Sequence, residues 1–229
     1  MSARRLGLVA LGDSITNGGG NMAFGVYPRS WAQWLADALE LPYTGLAVDG
    51  AVAADVVAGQ LPRVVGEYDI GCLYVGVNDV RSTAWDAAAY DRLLGEALDG
   101  LAARCARVVT LTMPLDLGRP RAGAKVANAN AIVRRRARAV GASLVELEHL
   151  AGSRFVLPDA VHLTALGQVE VAERAAAVLG GARRSPYALA DPDLGPRAEV
   201  RWARAYARML ARDVSRRVRE GGLRGLRAG

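Results

Sequence analysis

At 229 residues the chain is long enough to bury a full core as one sizeable domain, with or without an appendage. Its 52% hydrophobic and 23% charged residues exclude a disordered chain, and its apolar runs fall well short of the about 18 residues that a membrane span needs. The net charge of +6 is uneven: residues 183–229 hold 12 Arg and 5 acids, a balance of +7, and residues 1–182 hold 17 basic and 18 acidic residues, a balance of −1.

The first strand is expected at LGLVAL (6–11), a continuous apolar run of the kind a fully buried strand shows. No charged, apolar and then small-residue leader pattern precedes it, which sets a cytoplasmic location as the expectation. Pro28 is expected to open a helix through residue 40, since proline suits a first turn. YTGLAV (43–48) reads as a weaker strand, and a helix is expected from residue 53 onward. DIGCLYVG (69–76) is a strong strand, and Asp86 suits the N-cap of a helix running to residue 102. RVVTLTM (107–113) is the fourth strand, a Gly/Pro loop spans 114–124, and a helix is expected over 125–140. SLVELE (143–148) is the fifth strand, and Thr164 is placed to cap a helix ending near residue 179. Cys72 and Cys105 stand 33 positions apart outside any metal-spaced cluster and read as two buried thiols.

Five strands separated by helices imply a parallel sheet covered on both faces, because right-handed crossovers lay a helix against the sheet at each step. The expected architecture is a flavodoxin-like α/β/α sandwich of strand order 2-1-3-4-5. The Gly/Pro-rich GGARRSPYALADPDLGP (180–196) divides the chain into a body at 1–180, a linker at 181–197 and an Arg-rich helical extension at 198–229. Within that extension Trp202, Tyr206, Met209, Leu210 and Val214 recur at helical spacing with Arg between them. Such a helix either packs its apolar face on the body or a second subunit, the favoured reading, or lies on an anionic membrane. Nucleic acid is not an expected partner, because aromatic interleaving is sparse. The oligomeric state is left open.

In open parallel sheets, ligands bind beyond the carboxyl ends of the strands. Gly12-Asp13-Ser14 follows the first strand, Asp49-Gly50 the second, Asn78-Asp79 the third, and Asp159-Ala160-Val161-His162 lies beyond the fifth. Ser14 is the nucleophile candidate. His162 is the candidate base, with Asp159 three positions earlier, a spacing that one helical turn brings to the same side. Gly50, Asn78 and the backbone N–H of Ser14 are candidate donors to an oxyanion. The other histidine, His149, reads as structural.

GDSITNG, VDGA, GVND and DAVH, in that order, resemble the four blocks of the SGNH (GDSL-type) hydrolase family over residues 6–180. That resemblance implies a flavodoxin-like fold and a serine esterase or lipase: Ser14 as nucleophile, His162 as base, Asp159 as its orienter, and Gly50 and Asn78 as oxyanion donors. It implies a small-molecule or lipid ester (or thioester) as substrate, an acyl-enzyme intermediate, and no metal or organic cofactor. Two departures stand out. Of the family's second block only Gly50 matches, and Leu163 follows the histidine where proline is frequent. Acyl transfer to an acceptor other than water would use the same groups.

Three alternatives carry less. The G-x-S-x-G elbow of α/β-hydrolases is absent, since Thr16 stands at the second glycine. A non-catalytic nucleotide- or phosphate-binding module could use Gly18-Gly19-Gly20-Asn21-Met22-Ala23, but that string lies away from any strand–turn–helix junction. A magnesium phosphatase would need Asp13, Asp79 and Asp159 as oxygen ligands.

Overall fold

The chain's most apolar run forms the strand from which the rest is built. In the computed structural model, which describes residues 5–115 and 122–226, β1 (Leu8–Gly12) is buried along its whole length. A short helix, α1 (Ser14–Asn17), follows at once, and then α2 (Trp31–Ala38) and β2 (Tyr43–Gly45). Next come α3 (Ala53–Asp55), β3 (Tyr68–Tyr74), α4 (Val77–Arg81), α5 (Ala87–Ala102) and β4 (Cys105–Leu111). The body closes with α6 (Ala124–Val140), β5 (Ser143–Val145) and α7 (Ala165–Val178), and α8 (Pro186–Ala190) and α9 (Pro196–Leu226) complete the described chain.

The five strands form one parallel sheet in the order β2-β1-β3-β4-β5, as expected. One layer of helices, α2 and α7, packs on one face, and α5 and α6 pack on the other. Leu8, Leu11, Leu73, Leu35 and Leu98 lie fully enclosed between these layers, where deleting a leucine side chain typically costs about 2–5 kcal/mol. Both cysteines are unpaired thiols buried in β3 and β4.

Local capping chemistry sets several boundaries. The Asp86 carboxylate accepts from the Ala88 and Ala89 N–H groups to start α5, and the Thr164 hydroxyl accepts from Gly167 N–H to start α7. The helix expected from Pro28 starts later: the Ser30 hydroxyl accepts from Ala32 N–H and makes Trp31 the first helical residue. The helix expected from residue 53 is broken. A π turn at Val56–Gln60 and a 3-10 turn at Leu61–Arg63 follow α3, and Pro62 cannot supply the N–H that a regular continuation needs. β2 and β5 are shorter than expected. After Gly45 only Leu46 N–H and Val48 N–H still reach β1, at Ala10 O and Gly12 O.

The stretch read as a linker is docked on the body. Ser185 caps α8 and its hydroxyl bonds Glu173, while the Tyr187 hydroxyl donates to Glu170, both acids on α7. Helix α9 turns its aromatic side toward the body. Trp202 is 5% exposed, its ring 5.7 Å from Phe24 and its indole N–H donating to Ser153 O at 2.8 Å. Arg197, Arg201, Arg204, Arg208, Arg212, Arg216 and Arg219 are exposed. Among the described residues no helix is long and apolar enough to cross a membrane. Residues 116–121 of the 114–124 loop and 227–229 of the extension lie outside the described residues.

Candidate active site

The junction from β1 into α1 holds Ser14 in a fixed attitude. Gly12 has φ +145°, and a Cβ there would fall 2.1 Å from Tyr74 O, so the chain turns only because this residue has no side chain. Asp13 is the N-cap of α1, its Oδ1 accepting from Ile15 N–H at 3.0 Å. Ser14 is the first helical residue, so its N–H has no intrahelical acceptor. Two amide side chains lock this turn. Gln60 accepts from Gly12 N–H and donates to Gly12 O, both at 2.8 Å. Gln168 donates to Ile15 O and accepts from Trp31 N–H.

His162 arrives on the segment between β5 and α7, closed by the Val156–Leu163 bridge. The i, i+3 spacing brings Asp159 and His162 together, but through a tight turn with Ala160 at φ +57° and not through a helical turn. The cause is the carboxylate itself, because Asp159 Oδ1 accepts from both Val161 N–H (2.9 Å) and His162 N–H (3.0 Å) and wraps the backbone around it. Its Oδ2 lies 2.7 Å from His162 Nδ1. That contact assigns the ring proton to Nδ1 and leaves Nε2 to accept from the Ser14 hydroxyl, 3.0 Å away. Burial pushes the Asp159 carboxyl up, but the His162 bond and the two backbone N–H groups outweigh it and hold it at about 2. The same hydrogen bond raises His162 above its ordinary 6.5 against the opposing effect of burial.

The other candidates border this group. Val48 N–H donates to Gly12 O, and the Asn17 amide donates to Asp49, so the Gly50 turn (φ +79°) is tied to α1. Asn78, in the first turn of α4, donates from Nδ2 to Ala51 O at 3.0 Å, which joins the ends of β2 and β3. One N–H of that amide is thereby used and a second remains. Asp79 receives Ala53 N–H and braces the same two segments. All five sequence-derived candidates thus occupy one rim of the sheet.

Residues 10–169 match the family described as GDSL-like lipase/acylhydrolase. The chain belongs to that family. Among solved structures it is similar to an alpha/beta hydrolase enzyme from the metagenome of Lake Arreo, Spain (22% identity, 76% of this chain and 94% of that one, TM-score 0.61). It is also similar to an acetylxylan esterase from Geobacillus stearothermophilus (16% identity, 78% and 95%, TM-score 0.61). The extracellular lipase of Streptomyces rimosus gives 23% identity, 76% and 98% coverage and a TM-score of 0.55. At these identities the likeness is one of fold. No curated protein matches.

Several residues around this GDSL-type rim were not legible in the sequence. Gln60 and Gln168 are buried side chains acting over 48 and 153 positions, and no local pattern marks them. Asp13, which the sequence marked as the residue before Ser14, is fully buried, and its Oδ2 has no hydrogen-bond partner. Burial raises its carboxyl to about 7, partly opposed by the Ile15 N–H and by His162. His149 is exposed. The glycine-rich 18–23 stretch follows α1 and not a strand, so it lacks the junction that a phosphate cradle requires. Among the described residues no group of three or more His, Cys, Asp or Glu is arranged to hold a metal ion.

Proposed function

We propose that this chain hydrolyses a carboxylic ester or thioester through an acyl-enzyme formed on Ser14. Ser14 Oγ attacks the carbonyl carbon as its proton passes to His162 Nε2, and Asp159 stabilises the imidazolium that results. Charge collects on the former carbonyl oxygen, where Ser14 N–H, Gly50 N–H and the remaining N–H of Asn78 Nδ2 are the donors. The tetrahedral species collapses, the carbon–oxygen or carbon–sulfur bond breaks, and His162 returns the proton to the leaving alcohol or thiol. Water then attacks the acyl-enzyme with the same proton transfers in reverse order and frees the acid and the serine.

The observation that carries this reading is the unbroken chain from Ser14 Oγ to His162 to Asp159, at 3.0 and 2.7 Å. An ordinary turn serine has no reason to face an imidazole whose far nitrogen is held by a carboxylate. Family membership supports ester hydrolysis as the reaction class. The deciding test is nitrophenol release from short-chain p-nitrophenyl esters. We expect Ser14→Ala to lose activity by at least a factor of about 10³. Equal rates in the two proteins would show that the nucleophile lies elsewhere.

A further inference from the structure

Beside this group the structure contains an apolar cavity of about 180 Å³. Its lining includes the chain neighbours of the reactive residues: Ile15 follows Ser14, and Ala160 and Val161 lie between Asp159 and His162. Tyr74 from the end of β3, Leu147 and Leu150 from beyond β5, and Tyr206 from α9 also line it, and the segment from Ala151 to Pro158 supplies much of the remaining wall. The body supplies every side of this cavity except that of Tyr206, which lies beyond residues 10–169, the part shared with the family.

The placement of Tyr206 follows from how α9 docks. Trp202 is seated by its ring contact with Phe24 and its N–H bond to Ser153 O. One turn further, Tyr206 stands 6.0 Å from the Trp202 ring and reaches the cavity. The segment that α9 touches at Ser153 also forms part of the cavity lining and leads into the Asp159–His162 turn.

Resting on the reading of Ser14 as nucleophile, we propose that this cavity receives the acyl chain of the ester and that Tyr206 sets the length it accepts. An apolar cavity of about 150 Å³ is enough to hold a benzene molecule, so this one suits an acyl group of about six carbons. Its aliphatic and aromatic walls would leave sugar hydroxyls or a charged acyl group unpaired, and an acetyl group would fill only a fraction of it. The extension is therefore a working wall of the site and not only a docked tail.

The test is kcat/KM for p-nitrophenyl acetate, butyrate, hexanoate, octanoate and decanoate in the full chain, with Tyr206→Ala, Tyr206→Trp and Tyr206→Phe as variants and Ser14→Ala as control. Each methylene that enters the cavity should raise kcat/KM by about fourfold, up to hexanoate, with a fall beyond it. Tyr206→Ala should move the optimum to octanoate or longer. Tyr206→Trp should lower hexanoate relative to butyrate, and Tyr206→Phe should keep the wild-type order. A wild-type preference for acetate overturns the proposal, as do length profiles that coincide in the wild type and in the Ala and Trp variants. Activity retained in Ser14→Ala overturns the nucleophile assignment and this proposal with it. Activity lost in Ser14→Ala but unmoved profiles at Tyr206 overturn the proposal alone.

Discussion

Asp13 offers a sharp test of how the elbow is held. The carboxyl is fully enclosed, one oxygen caps α1 and the other has no partner. Its pKa is lifted from 3.8 to about 7, chiefly by burial. Because the folded value lies above the unfolded one, the native chain keeps a proton that the unfolded chain has already lost. Stability contributed here must therefore fall as pH rises from about 4 and be fully lost above about 7. The rise from 3.8 to about 7, at about 1.4 kcal/mol for each tenfold change in proton affinity, makes the effect about 4 kcal/mol. Asp13→Asn keeps the capping oxygen and cannot ionise, and any cost of its buried NH₂ is the same at every pH. Urea unfolding of both proteins at pH 4.5 and pH 8 measures the difference. We expect the variant to gain several kcal/mol relative to wild type between the two conditions; groups that do not interact with Asp13 cancel, and the coupling to His162 and Asp79 is smaller than the effect of burial. A gap that stays constant within about 0.5 kcal/mol would mean that Asp13 is not the strained carboxylate this geometry describes.

Two further outcomes follow from the same rim. His162 must be neutral to accept the serine proton, so kcat/KM should rise with pH through a midpoint above 6.5, the raised value that Asp159 imposes. Asp159→Asn should lower that midpoint and reduce the plateau by about 10²–10⁴; a pH–rate profile with an unmoved midpoint would exclude the carboxylate as the cause. Gln60→Leu strands Gly12 N–H without its acceptor, while Gly12 O keeps Val48 N–H. Thermal or urea unfolding should show a loss of about 1–3 kcal/mol, with a matching fall in ester turnover, and unchanged stability would mean that Gln60 does not hold the elbow.

Where bonding partners lie close in sequence, the chain could be read. β1 and β3, enclosed on both faces, announce themselves as apolar runs, and Asp86 and Thr164 cap helices that start one residue later. The Asp159–His162 pairing was legible by spacing, although its conformation was not. A helical turn and a left-handed turn at Ala160 both bring positions three apart together, and two backbone bonds to one carboxylate oxygen decide between them. What could not be read are the contacts made by side chains from distant segments. Four residues cannot sustain α1 alone. Its attitude depends on Gln60, on Gln168 and on Ser30, whose hydroxyl donates to Thr16 O. The break in the expected helix at 53–63 belongs to the same arrangement, since β2 leaves the sheet at Gly45 and the Gln60 amide takes up the Gly12 N–H left beyond it. Periodicity reports which face of an element is apolar and is silent on a polar side chain that finishes a neighbouring strand. The nucleophile candidate was visible because family and chemistry both mark it. The groups that aim it carry no such mark, and they are where substitutions far from Ser14 in sequence should alter turnover.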